Sequence, residues 1–198
     1  MKKILQRDAP VLREIAKEVS RDAITSPAIK KVIAEMKEAL ESQDDGVAIA
    51  APQIGYPLRI FVVSRKVADI IKDESRAAPK SGSRDTTEKK KEAKDMVFIN
   101  PVIKKMSKQR KLVEEGCLSV RYLYGKVQRY LKATIEAYDE NGRKFERGGT
   151  GLLSQIFQHE TDHLNGILFI DKARDLEDLP PPEAEQEKQH AGSGKQYA

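Results

Sequence analysis

The sequence predicts an α+β domain, with antiparallel β-sheets around a buried C-terminal helix that carries an H-E-x-x-H motif. Three observations predict it. Apolar residues recur at helical spacing most clearly in two segments, one near each end of the chain. The stretches between them are rich in β-branched and aromatic residues and are broken by turn signals. The second helical segment, "GLLSQIFQHETDHL", follows directly on a predicted hairpin.

The elements follow in order. In "TSPAIKKVIAEMKEAL", Ser26 can cap a helix and Pro27 suits its first position. Ile29, Val32, Ile33, Met36 and Leu40 then fall on one face. "GVAIAAPQIG" reads as a small-residue loop, and "LRIFVVS" (Leu58 to Ser64) as a buried strand. From about Lys72 to Asp95 there is no periodic apolar face and both charge signs are dense, which predicts a mobile surface insertion. "MVFINPVI" regains strand character, with Pro101 placing it at a sheet edge or strand end. "KLVEEGCLSV" is a further strand and loop.

"LKATIEAYDENGRKFERGG" alternates Ala133, Ile135 and Ala137 on one face and turns at Asn141-Gly142, a hairpin signal. Leu152, Leu153, Ile156, Phe157 and Leu164 then form the stripe of the last helix, which Gly166 can terminate. The expected folded domain is residues 1–171, with a polar insertion at 72–95. Residues 172–198 form a Pro-broken polar tail expected to be disordered.

A chain of 198 residues with 39% hydrophobic content can bury a core as one domain. No apolar run approaches the ~20 residues that span a bilayer, so no membrane role is expected. The N-terminus has no signal-peptide apolar core, and the lone Cys117 permits no internal disulfide. Both point to the cytoplasm. The net charge of +5 arises from interleaved lysines, arginines and acids, so no direct nucleic-acid role is expected.

The chemistry centres on "QHETDH". His159 and His163 stand at i and i+4, one turn apart on the same helix face, where two imidazoles can grip one ion. Glu160 projects in an adjacent direction, within reach of a water beside that ion. The bland alternative is a polar helix whose histidines are merely hydrogen-bonded. A catalytic site needs a third protein ligand. His190 lies in the tail and is a poor candidate, which leaves Cys117 in "EEGCLSV". A lone cysteine is, however, more often a small buried hydrophobe. In "GVAIAAPQIG", Gly46, Ala48, Ala50 and Ala51 admit close backbone approach and Gln53 offers an amide; a tight helix-to-strand connection explains them as well.

Taken in order, "GVAIAAPQ", "EGCLS" and "QHETDH" resemble the three signature motifs of the peptide deformylases, over about Ile4 to Asp171. The resemblance implies hydrolysis of the N-terminal formyl group from nascent peptides that begin with formylmethionine, releasing formate. It implies one divalent metal ion, usually Fe2+, with Zn2+, Ni2+ or Co2+ as substitutes, held by Cys117, His159 and His163. Glu160 would shuttle the proton, and the Gln53 side chain and Leu118 backbone N–H would stabilise the formyl oxygen. Backbone near Val47, Ala48 and Gly116 would pair with the extended substrate, and Val47 and Ile156 would wall its methionine pocket. Transient contact with the ribosome is a further implied partner. Glu115 is expected to pair with Arg129 behind the metal loop; a solvated surface pair is the alternative.

Three positions depart from the family pattern. Ala48 replaces the second glycine of the first motif, where a methyl can crowd the substrate backbone or exclude the left-handed region. Arg121 stands where many members have proline, which is expected to loosen that loop. The mixed-charge tail replaces the basic C-terminal helix by which some members dock on the ribosome. Two rival readings are a zincin-type peptidase, which would need a third ligand downstream of the helix, and a non-catalytic member that only binds formylated ends.

Overall fold

A computed structural model describes residues 1–67, 70 and 94–179. Most of the expected insertion and residues 180–198 of the expected tail, with His190, lie outside them.

The first helix, α1 (Pro27–Glu41), begins as its sequence requires. The Ser26 hydroxyl accepts from the Ile29 N–H, and Pro27 occupies the first turn. Then come β1 (Ala48–Ala50), β2 (Ile60–Val63), β3 (Met96–Met106), β4 (Arg110–Cys117), β5 (Val120–Tyr130), β6 (Lys132–Tyr138) and β7 (Lys144–Thr150). The second long helix, α2 (Gly151–Leu164), and β8 (Arg174–Asp178) close the described chain. One antiparallel sheet runs β1-β2-β3-β6-β7 and a second runs β4-β5-β8.

Alternation along the strands sorts the core. Ile60, Val62, Val97 and Ile99 face α1, whereas Phe61, Val63 and Phe98 face α2. Phe61 stacks on Phe98 at 4.5 Å, and Phe98 meets the edge of Phe157 from α2 at 5.4 Å. Full burial of a side chain such as Phe157 contributes roughly 1.5–3 kcal/mol. The other side of α2 meets the smaller sheet: Gln155 donates to the Glu114 carbonyl, and Gln158 bonds the Tyr130 backbone in both directions. The buried C-terminal helix between antiparallel sheets is the architecture expected. Among the described residues, no helix is long and apolar enough to cross a membrane.

Four expectations need correction. Pro101 does not lie at a strand end, although β3 runs on past β2 there, the last β2 pairing being Ile60 with Ile99. It sits inside β3, where the register with β6 shifts between Ile99 and Val102, so its missing N–H falls at a bulge. Asn100 beside it takes φ 51°, and its amide exchanges two hydrogen bonds with the Val19 backbone. "GVAIAAPQ" is not all loop, since Ala48–Ala50 pairs with β2. The polar tail begins later than residue 172, because Arg174–Asp178 pairs with β5. Those five residues are all exposed, so ladder hydrogen bonds rather than apolar burial order them. Finally, Arg121 does not loosen its loop. Its guanidinium bonds Asp45 at 2.6 Å and Gln43 at 2.5 Å.

Candidate metal centre

The fold brings Cys117, at the end of β4, to the face of α2 that carries His159 and His163. One ligand atom from each lies within 4.8 Å of the others. The Cys117 Sγ is 3.1 Å from His163 Nε2. Glu115 Oε2 accepts from His159 Nδ1 at 3.0 Å, which fixes the ring and leaves Nε2 for an ion. Burial alone would raise the pKa of the Cys117 thiol. The adjacent His163 and His159 outweigh that effect and bring it down to about 5, so sulfur is a thiolate at neutral pH. One thiolate and two imidazoles, converging and largely buried, fit a four-coordinate divalent ion with one open position.

Behind the ligands runs a buried ion-pair network. Arg129 forks onto Glu115 at 2.7 and 2.9 Å and reaches Asp162 at 2.6 Å, and Lys172 also bonds Asp162 at 2.6 Å. The expected Glu115–Arg129 pair is therefore present and buried, not a solvated surface contact. Sequence reasoning missed Asp162 and Lys172. Asp162 sits three residues after His159, a spacing that turns it toward β5; Lys172 carries no comparable signal.

Glu160 is buried beside the ligands, and its Oε2 has no hydrogen-bond partner. Burial pushes its pKa above the ordinary carboxylate value, despite the opposing influence of His159 and His163. A carboxyl whose pKa is raised in this way is suited to taking and returning a proton. Gln53 is held by its own short turn: its Oε1 accepts the Ala50 N–H at 2.8 Å. Its Nε2 donates to Ser119 at 3.1 Å and lies 3.6 Å from the Cys117 sulfur, so its amide hydrogens face the site. Ser119, also missed from sequence, sets that orientation.

The end of α2 fixes the second histidine. Ile167 N–H bonds the Asp162 carbonyl and Gly166 N–H bonds that of His163, with Gly166 at φ 73°. A Cβ at Gly166 would lie 2.6 Å from the Arg13 carbonyl oxygen, so both conformation and space require glycine.

Gln53, Cys117, His159 and Glu160 line a cleft of about 320 Å³, together with Val47, Ala48, Gly116, Leu118 and Ile156. Its walls are two strand edges. The Val47 carbonyl accepts from Ser64 of the β2 side, so by alternation Ala48 turns its N–H and C=O away from β2. Likewise the Glu114 carbonyl accepts from Gln155 rather than from β5, and Gly116, two residues on, presents its polar backbone in the same direction. The Ala48 side chain is in the core cluster shared with α2, and its φ is not positive. Its methyl therefore lies out of the plane in which a peptide would pair, and no left-handed conformation is demanded.

A family model described as polypeptide deformylase matches residues 1–178. Peptide deformylase of Roseiflexus sp. (strain RS-1) is 39% identical over 157 residues, covering 79% of this chain and 79% of that protein. Peptide deformylase 1A, chloroplastic/mitochondrial, of Arabidopsis thaliana is 38% identical over 181 residues, covering 89% of this chain. The chain spans only 64% of that plant protein's length. Among solved structures, the Met-Ala-Ser-bound class I type b peptide deformylase from Acinetobacter baumannii matches with a TM-score of 0.69 and 30% identity. That match covers 87% of this chain and 99% of the other. Sequence, fold and the Cys-His-His cluster agree: the chain belongs to the peptide deformylase family.

Proposed function

We propose that this protein hydrolyses the N-terminal formyl group of formylmethionyl peptides, releasing formate and a free amino terminus. The observation that carries the reading is the buried, unpartnered Glu160 carboxylate beside the converging Cys117, His159 and His163, at the base of a cleft walled by two strand edges.

Cys117, His159 and His163 would hold one divalent ion; we assign Fe2+, with Zn2+, Ni2+ or Co2+ chemically suited to the same sulfur–nitrogen set. The ion's contribution when bound is Lewis acidity, which eases ionisation of a water and polarises a carbonyl. The remaining steps belong to the chain. Ala48 and Gly116 pair with the extended peptide from opposite sides, and Val47 and Ile156 wall its first side chain. Gln53 Nε2 and the Leu118 N–H orient the formyl oxygen and stabilise the charge that develops there. Glu160 takes a proton from the attacking water as its oxygen bonds the formyl carbon. It delivers that proton to the nitrogen as the C–N bond breaks. The peptide bound to the Acinetobacter relative, Met-Ala-Ser, has the composition of such a product.

We place the activity in the cytoplasm, where a single thiol stays reduced and nascent chains, the substrates, emerge from the ribosome. The test compares formyl-Met-Ala-Ser with its unformylated twin. Formate release from the first and internal cleavage of neither is expected. Internal cleavage without formate would establish the peptidase rival, and peptide binding without formate the non-catalytic one.

A further inference from the structure

Arg121 spans the mouth of the cleft. From β5 its guanidinium reaches the Gln43–Gly46 loop, which leads from α1 into β1. There it bonds Asp45 Oδ2 at 2.6 Å, Asp45 Oδ1 at 3.3 Å and Gln43 Oε1 at 2.5 Å. Both ends of this contact are anchored. Gln6 accepts the Arg121 N–H and donates to the Leu118 carbonyl, tying down the β4–β5 turn. On its other side the loop is gripped by Lys66, whose Nζ donates to the Gln43 and Asp44 carbonyls at 3.1 and 3.3 Å. Asp45, Gly46, Val47 and Ala48 line one wall of the cleft and Arg121 the other.

We propose that Arg121 is a positioning residue for substrate binding, a strap that holds the two free strand edges, at Ala48 and Gly116, at the separation an extended peptide needs. The inference rests on the deformylase reading above for its substrate, but the strap itself is a property of the fold. The pair joins β5 to the loop before β1, so its loss leaves that loop held only from the Lys66 side without touching Cys117, His159, His163 or Glu160. Edge pairing holds the bound peptide and the transition state alike, so the strap acts on KM and leaves kcat alone. Both partners are partly exposed, with side-chain accessibilities of 28% for Arg121 and 59% for Asp45. An exposed pair of this kind contributes little, so KM should rise by about two- to five-fold. High salt should erode the wild-type advantage and leave the variant unchanged.

The experiment uses the metal-loaded full chain, with metal content confirmed in every variant. Arg121→Ala should raise KM for formyl-Met-Ala-Ser with kcat constant, and Arg121→Lys, which can still pair with Asp45, should recover most of the loss. Arg121→Asp combined with Asp45→Arg should bind better than Arg121→Asp alone. Hydrogen exchange supplies a readout independent of turnover: the amides of residues 43–48 should exchange faster in Arg121→Ala. An unchanged KM, a fall confined to kcat, or a charge swap with no rescue would overturn the proposal. If the wild type releases no formate, the functional reading fails, and the exchange arm alone decides the strap: equal exchange at 43–48 sinks it.

Discussion

Replacing Arg129 with methionine tests the network behind the Cys117, His159 and His163 cluster. Methionine keeps much of the volume but removes the fork that satisfies Glu115 and the third bond to Asp162. Removing one partner of a buried ion pair typically costs ~3–5 kcal/mol, because the other charge is left buried and unpaired. Here the cost should fall near the lower end. Glu115 retains the His159 N–H and Asp162 retains Lys172, so neither carboxylate is wholly orphaned. For a chain of this length a loss of ~3 kcal/mol lowers Tm by about 6–12 °C.

The deficit should also depend on pH. Burial opposes ionisation of Glu115, but Arg129 and His159 outweigh it and hold its pKa down to about 2. A carboxylate depressed on folding contributes stability above its unfolded value, and that contribution is lost as pH falls through about 2. Without Arg129 the contribution shrinks. The gap between variant and wild type should therefore be widest near neutral pH and close on acidification. Thermal melts from neutral to acidic pH measure it, with metal titration as a second readout. Loss of a group that orients a ligand's partner should weaken metal affinity ~10–100-fold. A stability loss below ~1 kcal/mol, or one that is constant with pH, would refute the reasoning.

Three further substitutions probe the site. Cys117→Ser should lose or greatly weaken metal binding, and activity with it; full occupancy by elemental analysis would remove Cys117 from the ligand set. Glu160→Gln should keep metal and fold while kcat falls ~10²–10⁴-fold with little change in KM. Loss of the metal in that variant would make Glu160 a ligand or a support. Gly166→Ala must place a Cβ against the Arg13 carbonyl at φ 73°, and should destabilise the chain by ~1–3 kcal/mol in denaturant titration. An unchanged midpoint would show that the turn after α2 relaxes freely.

Much of the fold was legible because local patterns agree with it. α1 announces its cap and its apolar face, the β6–β7 hairpin its Asn141-Gly142 turn, and α2 its stripe and terminal glycine. Other elements hid for physical reasons. β1 is only three residues, all buried, with no alternation to read, and the residues of β8 are all exposed. The inward positions of β5 include Gly125 and Arg129, which break the period-2 apolar signal that a strand normally shows. The cluster of Cys117, His159 and His163 could be picked out as candidate ligands from residue type and spacing, because few side chains bind ions. Asp162 and Lys172 could not, since their partners lie 33 and 10 positions away and ion pairing leaves no periodic signal in the sequence. Arg121 read as a loosened loop because its partner Asp45 lies 76 positions away in the chain.

An unpaired strand edge normally invites another chain to add to it, which is how native sheets become templates for aggregation. The edge at β1 escapes that fate by being almost used up. Of its three residues, Ile49 turns its polar groups toward β2, and Ala50 has its N–H taken by Gln53. Ala48 alone is left with a fully free backbone. One residue of open ladder is too little to seed a sheet between copies of the chain. A guest gains a lasting hold here only if other contacts in the cleft add to that single rung.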